Sequence, residues 1–168
     1  MKPRLLILLF VVYLVGLAWL ILWKFELPWI GDAAGLPRPW KLIPFVASGD
    51  AGASKPLEVL ANVAFFVPFG IYLRMLTPWR WRAVAVIFAT SLAFEVTQHF
   101  ISVGSFDSTD VIANTLGGVL GLLIVRVVAR PVMERVLLVG GVLTVLAVGV
   151  FIASPIHYQA PRDVVVER

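Results

Sequence analysis

SLAFEVTQHFISVGSFDSTDVIANTLGGVLG, residues 91–121, sets two long apolar segments on either side of a short polar loop. Each segment carries polar groups where a lipid-facing helix has none. Glu95, Gln98 and His99 stand at i, i+3 and i+4, on one stripe of a helix. Asp107, Asp110, Asn114, Gly117 and Gly121 follow the same three-and-four spacing after the loop. A carboxylate at bilayer depth is costly, and such residues face a bundle interior or a water-filled cavity. Gly117 and Gly121 form a GxxxG step, which lets two helix backbones approach closely. The stretch predicts two transmembrane helices that pack on other helices, with a polar site at the end where they join.

Composition carries the same reading to the whole chain. Of the residues, 60% are hydrophobic and 14% charged, against about 25% charged in soluble domains, and the mean hydropathy is +0.95. The net charge of +4 comes from bases spread over short loops, not from a patch of the kind that binds nucleic acid. There is no cysteine, which excludes disulfides, thiolate metal sites and cysteine nucleophiles.

Five spans are expected, at residues 5–23, 57–77, 83–102, 110–128 and 136–154, in a single all-α, polytopic transmembrane helix bundle. The first is an uncharged run of nineteen residues, close to the roughly 20 that cross a bilayer. A cleaved signal peptide is the alternative, but its apolar region is shorter, about 7–15 residues, and ends at a small-residue cleavage site. The connector 24–55 is broken by Pro28, Pro37, Pro39 and Pro44 and by several glycines. Its Trp29 and Trp40 suit the membrane interface, and Lys41-Leu42-Ile43-Pro44-Phe45 is apolar enough to dip back toward the bundle. Pro56 suits the first turn of the second helix, whereas Pro68 is interior and predicts a kink. The tail from Pro155 is polar.

Cytoplasmic loops carry the excess of Lys and Arg. With the N-terminus inside, Lys2, Arg4, Arg74, Arg80, Arg82, Arg126, Arg130 and Arg135 lie at the inner ends with a single acid, Glu134. The other side holds six bases and nine acids, and the loop 103–108 has no base at all. The expected orientation is N-in and C-out. Glu58 and Asn62 then lie near the outer start of the second helix, and Asp107, Asp110 and Asn114 near the outer start of the fourth. Glu95, Gln98 and His99 lie in the outer half of the third. Polar groups from three helices reach a similar depth on the extracytoplasmic side.

Glu95, Asp110 and Asp107 are the candidate catalytic carboxylates, for acid–base work or cation binding. Asn62, Gln98, His99, Asn114 and Glu58 are the candidate substrate-binding residues. Each has a structural alternative. Asp107 and Asp110 suit a helix cap and first turn. Glu95 can pair with Asn62 or Asn114, with Gln98 in support. The two asparagines can be interhelical hydrogen bonds, typically about 0.6 kcal/mol in a membrane. His99 has the i, i+4 spacing of a metal pair with Glu95, but with two histidines and no repeated ligand motif no metal site is assigned. No motif names a cofactor.

Several of these residues, in order, carry a resemblance. They are Leu42-Ile43-Pro44-Phe45, Asn62 followed by Phe66-Val67-Pro68-Phe69-Gly70, Glu95-Val96-Thr97-Gln98, and Asp107, Asp110, Asn114 and Gly117. Residues 40–128 resemble the VanZ-like family of small bacterial membrane proteins. The resemblance implies a protein of the bacterial inner or cell membrane. It also implies an association with low-level resistance to the glycopeptide antibiotic teicoplanin, though it leaves the biochemical activity open. Relatives commonly carry an arginine just before the Asp-rich run, where this chain has Gly104-Ser105; if that arginine binds an anion in the relatives, the function is lost or moved here.

Two functional classes are expected. One is an enzyme or binding site for an amphipathic envelope molecule: a membrane lipid, a lipid-linked envelope precursor or a lipoglycopeptide. The other is a non-catalytic membrane scaffold whose polar residues hold the helices together. A transporter ranks third, because five helices and one lopsided site do not suggest inverted repeats.

Overall fold

The computed structural model describes residues 1–23, 40–46, 54–78 and 80–153. Trp29, most of the Pro- and Gly-rich connector and the polar tail from Pro155 lie outside the described residues. The chain forms five helices: α1 (Pro3–Trp23), α2 (Pro56–Leu76), α3 (Arg80–Phe100), α4 (Ser108–Val127) and α5 (Arg130–Ala153). Each is long and apolar enough to cross a membrane. At 1.5 Å per residue they extend roughly 30–36 Å, against a hydrocarbon core of about 30 Å. Among the described residues there is no strand, and the fold is an all-α bundle.

The outer surface demands a lipid solvent. Leu8, Val15, Leu60, Phe88, Leu116, Leu143 and Val150 are among many large apolar side chains that stay exposed, and they occur on all five helices. In water, a contiguous apolar surface of this size would drive association. Inside the bundle, Leu17, Phe66, Phe69 and Ile87 make one buried cluster, and Leu6, Leu9, Tyr72 and Leu137 make a second. The Phe10, Tyr13, Phe69 and Tyr72 rings join the clusters, with centroids 5.2–6.5 Å apart.

The closest helix pairing is α2 with α4, and glycine makes it possible. A Cβ on Gly117 would strike the Val63 carbonyl, and one on Gly121 would strike the Val67 carbonyl. From the other side, a Cβ on Gly70 would strike the Gly118 carbonyl. Backbone therefore lies on backbone over two turns. α2 runs unbroken through Pro68. α5 is the least enclosed helix, with Met133, Leu137 and Gly141 its buried residues.

This packing fixes the site. α2 and α4 are locked at their middles, and α3 lies across them, with Ile87 filling the space beside Gly118. The end of α3, the start of α4 and the start of α2 are thereby brought to the same end of the bundle.

Candidate functional site

At that end, Ser91, Glu95 and Gln98 all point inward from α3, and Glu95 is only 1% exposed. α3 closes when Ser102 adopts a left-handed conformation (φ 59°) and the Val103 and Gly104 N–H groups donate to the Gln98 carbonyl at 3.1 and 3.3 Å. The turn returns the chain so that the Asp107 backbone N–H donates to Glu95 Oε2 at 2.9 Å. That bond gives the buried carboxyl group a fixed partner within seven residues of the helix end. The Gln98 side-chain amide donates to the Ile21 carbonyl of α1, at 2.8 Å, and so ties α3 to α1.

Asp107 caps α4. Its Oδ1 accepts the Thr109 N–H at 2.8 Å, and its Oδ2 accepts from Lys41 Nζ at 2.6 Å and from the Ser54 hydroxyl at 2.8 Å. Residues 40–46 form a strap held by backbone as well. The Lys41 N–H donates to the Phe106 carbonyl and the Ser108 N–H to the Lys41 carbonyl, both at 2.9 Å. The Phe45 N–H donates to the Thr109 hydroxyl at 2.9 Å, with Phe45 itself left-handed (φ 62°). Burial works against the Asp107 charge, but hydrogen bonds from Lys41, Thr109 and Ser54 outweigh it and hold the carboxyl below the usual carboxylate range.

A cavity of about 130 Å³ lies just inside this cap. Its polar lining is Glu58 and Asn62 from α2, Glu95 and Gln98 from α3 and Asp110 from α4; Leu20, Ile21, Ala61 and Phe65 make the rest. It is roomy enough for ordered water or a small polar group. Five of the residues singled out in the sequence thus meet at one point, from three helices.

The others lie elsewhere. Asp107 sits outside the cavity, with its side chain committed to the strap. His99 lies against Trp40, ring centroids 4.1 Å apart, and is not part of the lining. Asn114 is fully buried, and neither amide atom finds a partner among the described residues. It lies one turn below Asp110 on the same face of α4. Sequence reasoning missed Lys41, Ser54 and Thr109 as parts of the site. The signal for Lys41 was a base beside an apolar segment able to fold back, and it supplies a cation next to the Asp-rich run despite Gly104-Ser105.

Comparison with known proteins decides the family. The sequence profile of the VanZ/LLP1 family matches residues 10–129. The chain belongs to the VanZ/LLP1 family. Protein VanZ of Enterococcus faecium is 35% identical over 120 residues, which cover 68% of this chain and 69% of that protein. No solved structure matches the chain. The VanZ/LLP1 match starts within α1, well before the motifs that begin at Trp40. It takes in the whole cavity lining and ends before α5.

Proposed function

We propose that this multi-pass VanZ-family protein resides in the bacterial cell membrane and binds the polar head of an amphipathic envelope molecule. Its cavity is read as opening toward the extracytoplasmic side. The observation that carries this reading is the convergence of Glu58, Asn62, Glu95, Gln98 and Asp110 on one cavity at one end of the bundle. Supporting the orientation, Arg74, Arg82, Arg126, Arg130 and Arg135 all lie at the opposite end.

In this reading Glu95 and Asp110 supply negative charge or hydrogen-bond acceptors to the head, and Asn62 and Gln98 orient it. Leu20, Ile21 and Phe65 form the apolar part of the wall, where a lipid-linked precursor, a phospholipid or the acyl tail of a lipoglycopeptide begins to leave the polar region. A link to teicoplanin-type resistance follows from the family and belongs to the same proposal.

The test is Glu95→Gln and Asp110→Asn in a strain lacking the gene, scored for membrane abundance and for susceptibility to teicoplanin beside vancomycin. The proposal expects normal abundance and lost function. Full activity in both variants would sink it. The scaffold reading has one specific observation in its favour, the bond from the Asp107 N–H to Glu95. It expects Glu95→Gln to lose abundance and function together.

A further inference from the structure

The end of the bundle opposite the polar cavity holds a pocket of the opposite charge. It measures about 430 Å³ and lies where α2 ends and α5 begins. Its ionisable lining residues are Arg74 of α2 and Arg130 of α5, and no acid lines it among the described residues. Arg74 reaches no carboxylate among those residues; its Nη1 donates to the Thr77 carbonyl at 3.4 Å. Arg130 gives only its Nε to Glu134 Oε1, at 3.2 Å, while the Met1 amino group holds the other oxygen of that carboxylate at 2.6 Å. Most of the N–H groups of both guanidinium forks therefore have no protein acceptor among the described residues. Two such forks flanking one pocket match the oxygens of a phosphate. Met75, Val125 and the buried Met133 give the pocket an apolar side as well.

An apolar groove starts one turn deeper on the same two helices. It measures about 320 Å³ and lies between α1, α2 and α5. On α2, Met75 of the pocket and Ile71 of the groove stand four apart, on one stripe; on α5, Met133 of the pocket and Leu137 of the groove do the same. Pocket and groove thus follow a single α2–α5 seam. The depths agree on both walls. Counted from Leu76, the α2 wall runs from about 6 Å (Tyr72) to about 18 Å (Ala64), at 1.5 Å per residue. Counted from Arg130, the α5 wall runs from about 9 Å (Val136) to about 21 Å (Thr144). One leaflet is about 15 Å of hydrocarbon, so the groove spans the depth of an acyl chain whose head lies at the arginine end. The Tyr13 and Thr144 hydroxyls in its lining are committed to backbone, at 2.6 Å to the Phe65 carbonyl and 2.9 Å to the Gly140 carbonyl. A Cβ built on Gly140 would meet nothing within 4 Å, so the seam is open space there rather than a helix contact.

We propose that this seam binds an anionic phospholipid of the cytoplasmic leaflet, with its phosphate between Arg74 and Arg130 and one acyl chain in the groove. Basic pockets between transmembrane helices on the cytoplasmic side are suited to such heads. The start of α5 adds the positive end of a helix dipole. A zwitterionic head would set its own ammonium group beside two arginines, so a head with net negative charge is favoured. A soluble phosphate would use the pocket alone; the groove on the same seam argues for the lipid. This goes beyond the head-group reading above and shares with it only the orientation that names the leaflet.

The experiment uses the full chain in phosphatidylcholine nanodiscs with a minor share of phosphatidylglycerol or phosphatidylethanolamine, each carrying the same diazirine-labelled acyl chain. Cross-linked peptides are mapped by mass spectrometry. Label is expected on groove residues such as Pro68, Ile71 and Val136, and more from phosphatidylglycerol than from phosphatidylethanolamine. Arg74→Gln combined with Arg130→Gln should cut the phosphatidylglycerol labelling by about tenfold, equivalent to about 1.4 kcal/mol. Arg135→Gln is the control: it removes the same charge at the same end from an exposed residue outside the pocket, so labelling should be unchanged. Gly140→Phe places a ring in the open part of the groove and should lower labelling by both lipids, with the arginines intact.

Label spread evenly over lipid-facing residues such as Phe88 and Leu116, and unchanged in the arginine and Gly140→Phe variants, overturns the site. An equal loss in Arg135→Gln makes the effect one of overall charge and also overturns it. Equal groove labelling by the two lipids overturns the anionic head. Inorganic phosphate is the remaining arm. If it raises the melting temperature of wild type but not of the double arginine variant, while the groove stays unlabelled, the pocket takes soluble phosphate and the lipid assignment falls.

Discussion

Replacing Lys41 by Met should destabilise the protein by about 3 kcal/mol, and the arithmetic follows from the strap. Lys41 and Asp107 are both buried and their charged atoms are 2.6 Å apart. With an effective dielectric of about 20, the gross attraction is about 6 kcal/mol. Desolvation costs several kcal/mol per ion, so the net value of the pair is much smaller. Removing one partner is a different matter, because it strands a buried charge, at about 3–5 kcal/mol. Asp107 keeps Ser54 and Thr109, which favours the lower end. Thermal unfolding in detergent should then show a loss of roughly 6–12 °C for a chain of this size. Asp107→Asn should cost a similar amount, since it leaves Lys41 buried without its counter-ion. The double variant should cost about 3 kcal/mol rather than about 6, a coupling near the top of the range for residues in one network. Additive losses, or a Lys41→Met protein that melts with wild type, would refute the claim that this ion pair holds the strap.

Three further outcomes are expected. Gly121→Ala should cost about 1–3 kcal/mol or more by pushing a methyl group into the Val67 carbonyl, whereas Gly140→Ala should gain up to about 1 kcal/mol of helix propensity; thermal unfolding of the two variants checks both. The Asp107 carboxyl is held below its unfolded value of about 3.9, so its contribution is complete above that pH and is lost as pH falls through the folded value. Melting temperature should therefore fall below about pH 4, and Asp107→Asn should remove that part of the fall. The chain has no cysteine, so Ser105→Cys gives a single label site; a membrane-impermeant maleimide should modify it in intact spheroplasts, and protection there would reverse the expected orientation.

The bundle was legible because solvent dictates it. In lipid every backbone polar group must be satisfied internally, so uncharged runs near 20 residues can only be helices. The convergence of Glu58, Asn62, Glu95, Gln98 and Asp110 was legible for a related reason: polar residues at matched depth on three helices have few places to go but inward. The partners were not legible. The bond that Glu95 accepts from the Asp107 backbone N–H depends on a left-handed Ser102 that no side-chain pattern announces. Lys41 was hidden because it reaches Asp107 from a segment 66 residues away, and no periodicity relates the two. Asn114 fits the polar stripe yet lies outside the cavity, since i, i+4 spacing fixes a face and not a depth.

Asp107 links these two kinds of information. Its side chain holds the strap through Lys41 and Ser54, and its backbone N–H holds Glu95. A residue that only capped α4 would need the first turn of that helix and nothing more. Here the cap stands between a strap on the outside and the buried carboxyl group on the inside, so the cavity's most enclosed acid is oriented by a segment that does not line the cavity. Loosening the strap should therefore alter the site even where the helices stay assembled. Lys41→Met at a temperature well below its melting point is expected to weaken function through Glu95, and Lys41→Arg, which keeps a cation in place, is expected to restore part of it. A Lys41→Met protein that is less stable but fully active would make the strap a clamp on the fold alone.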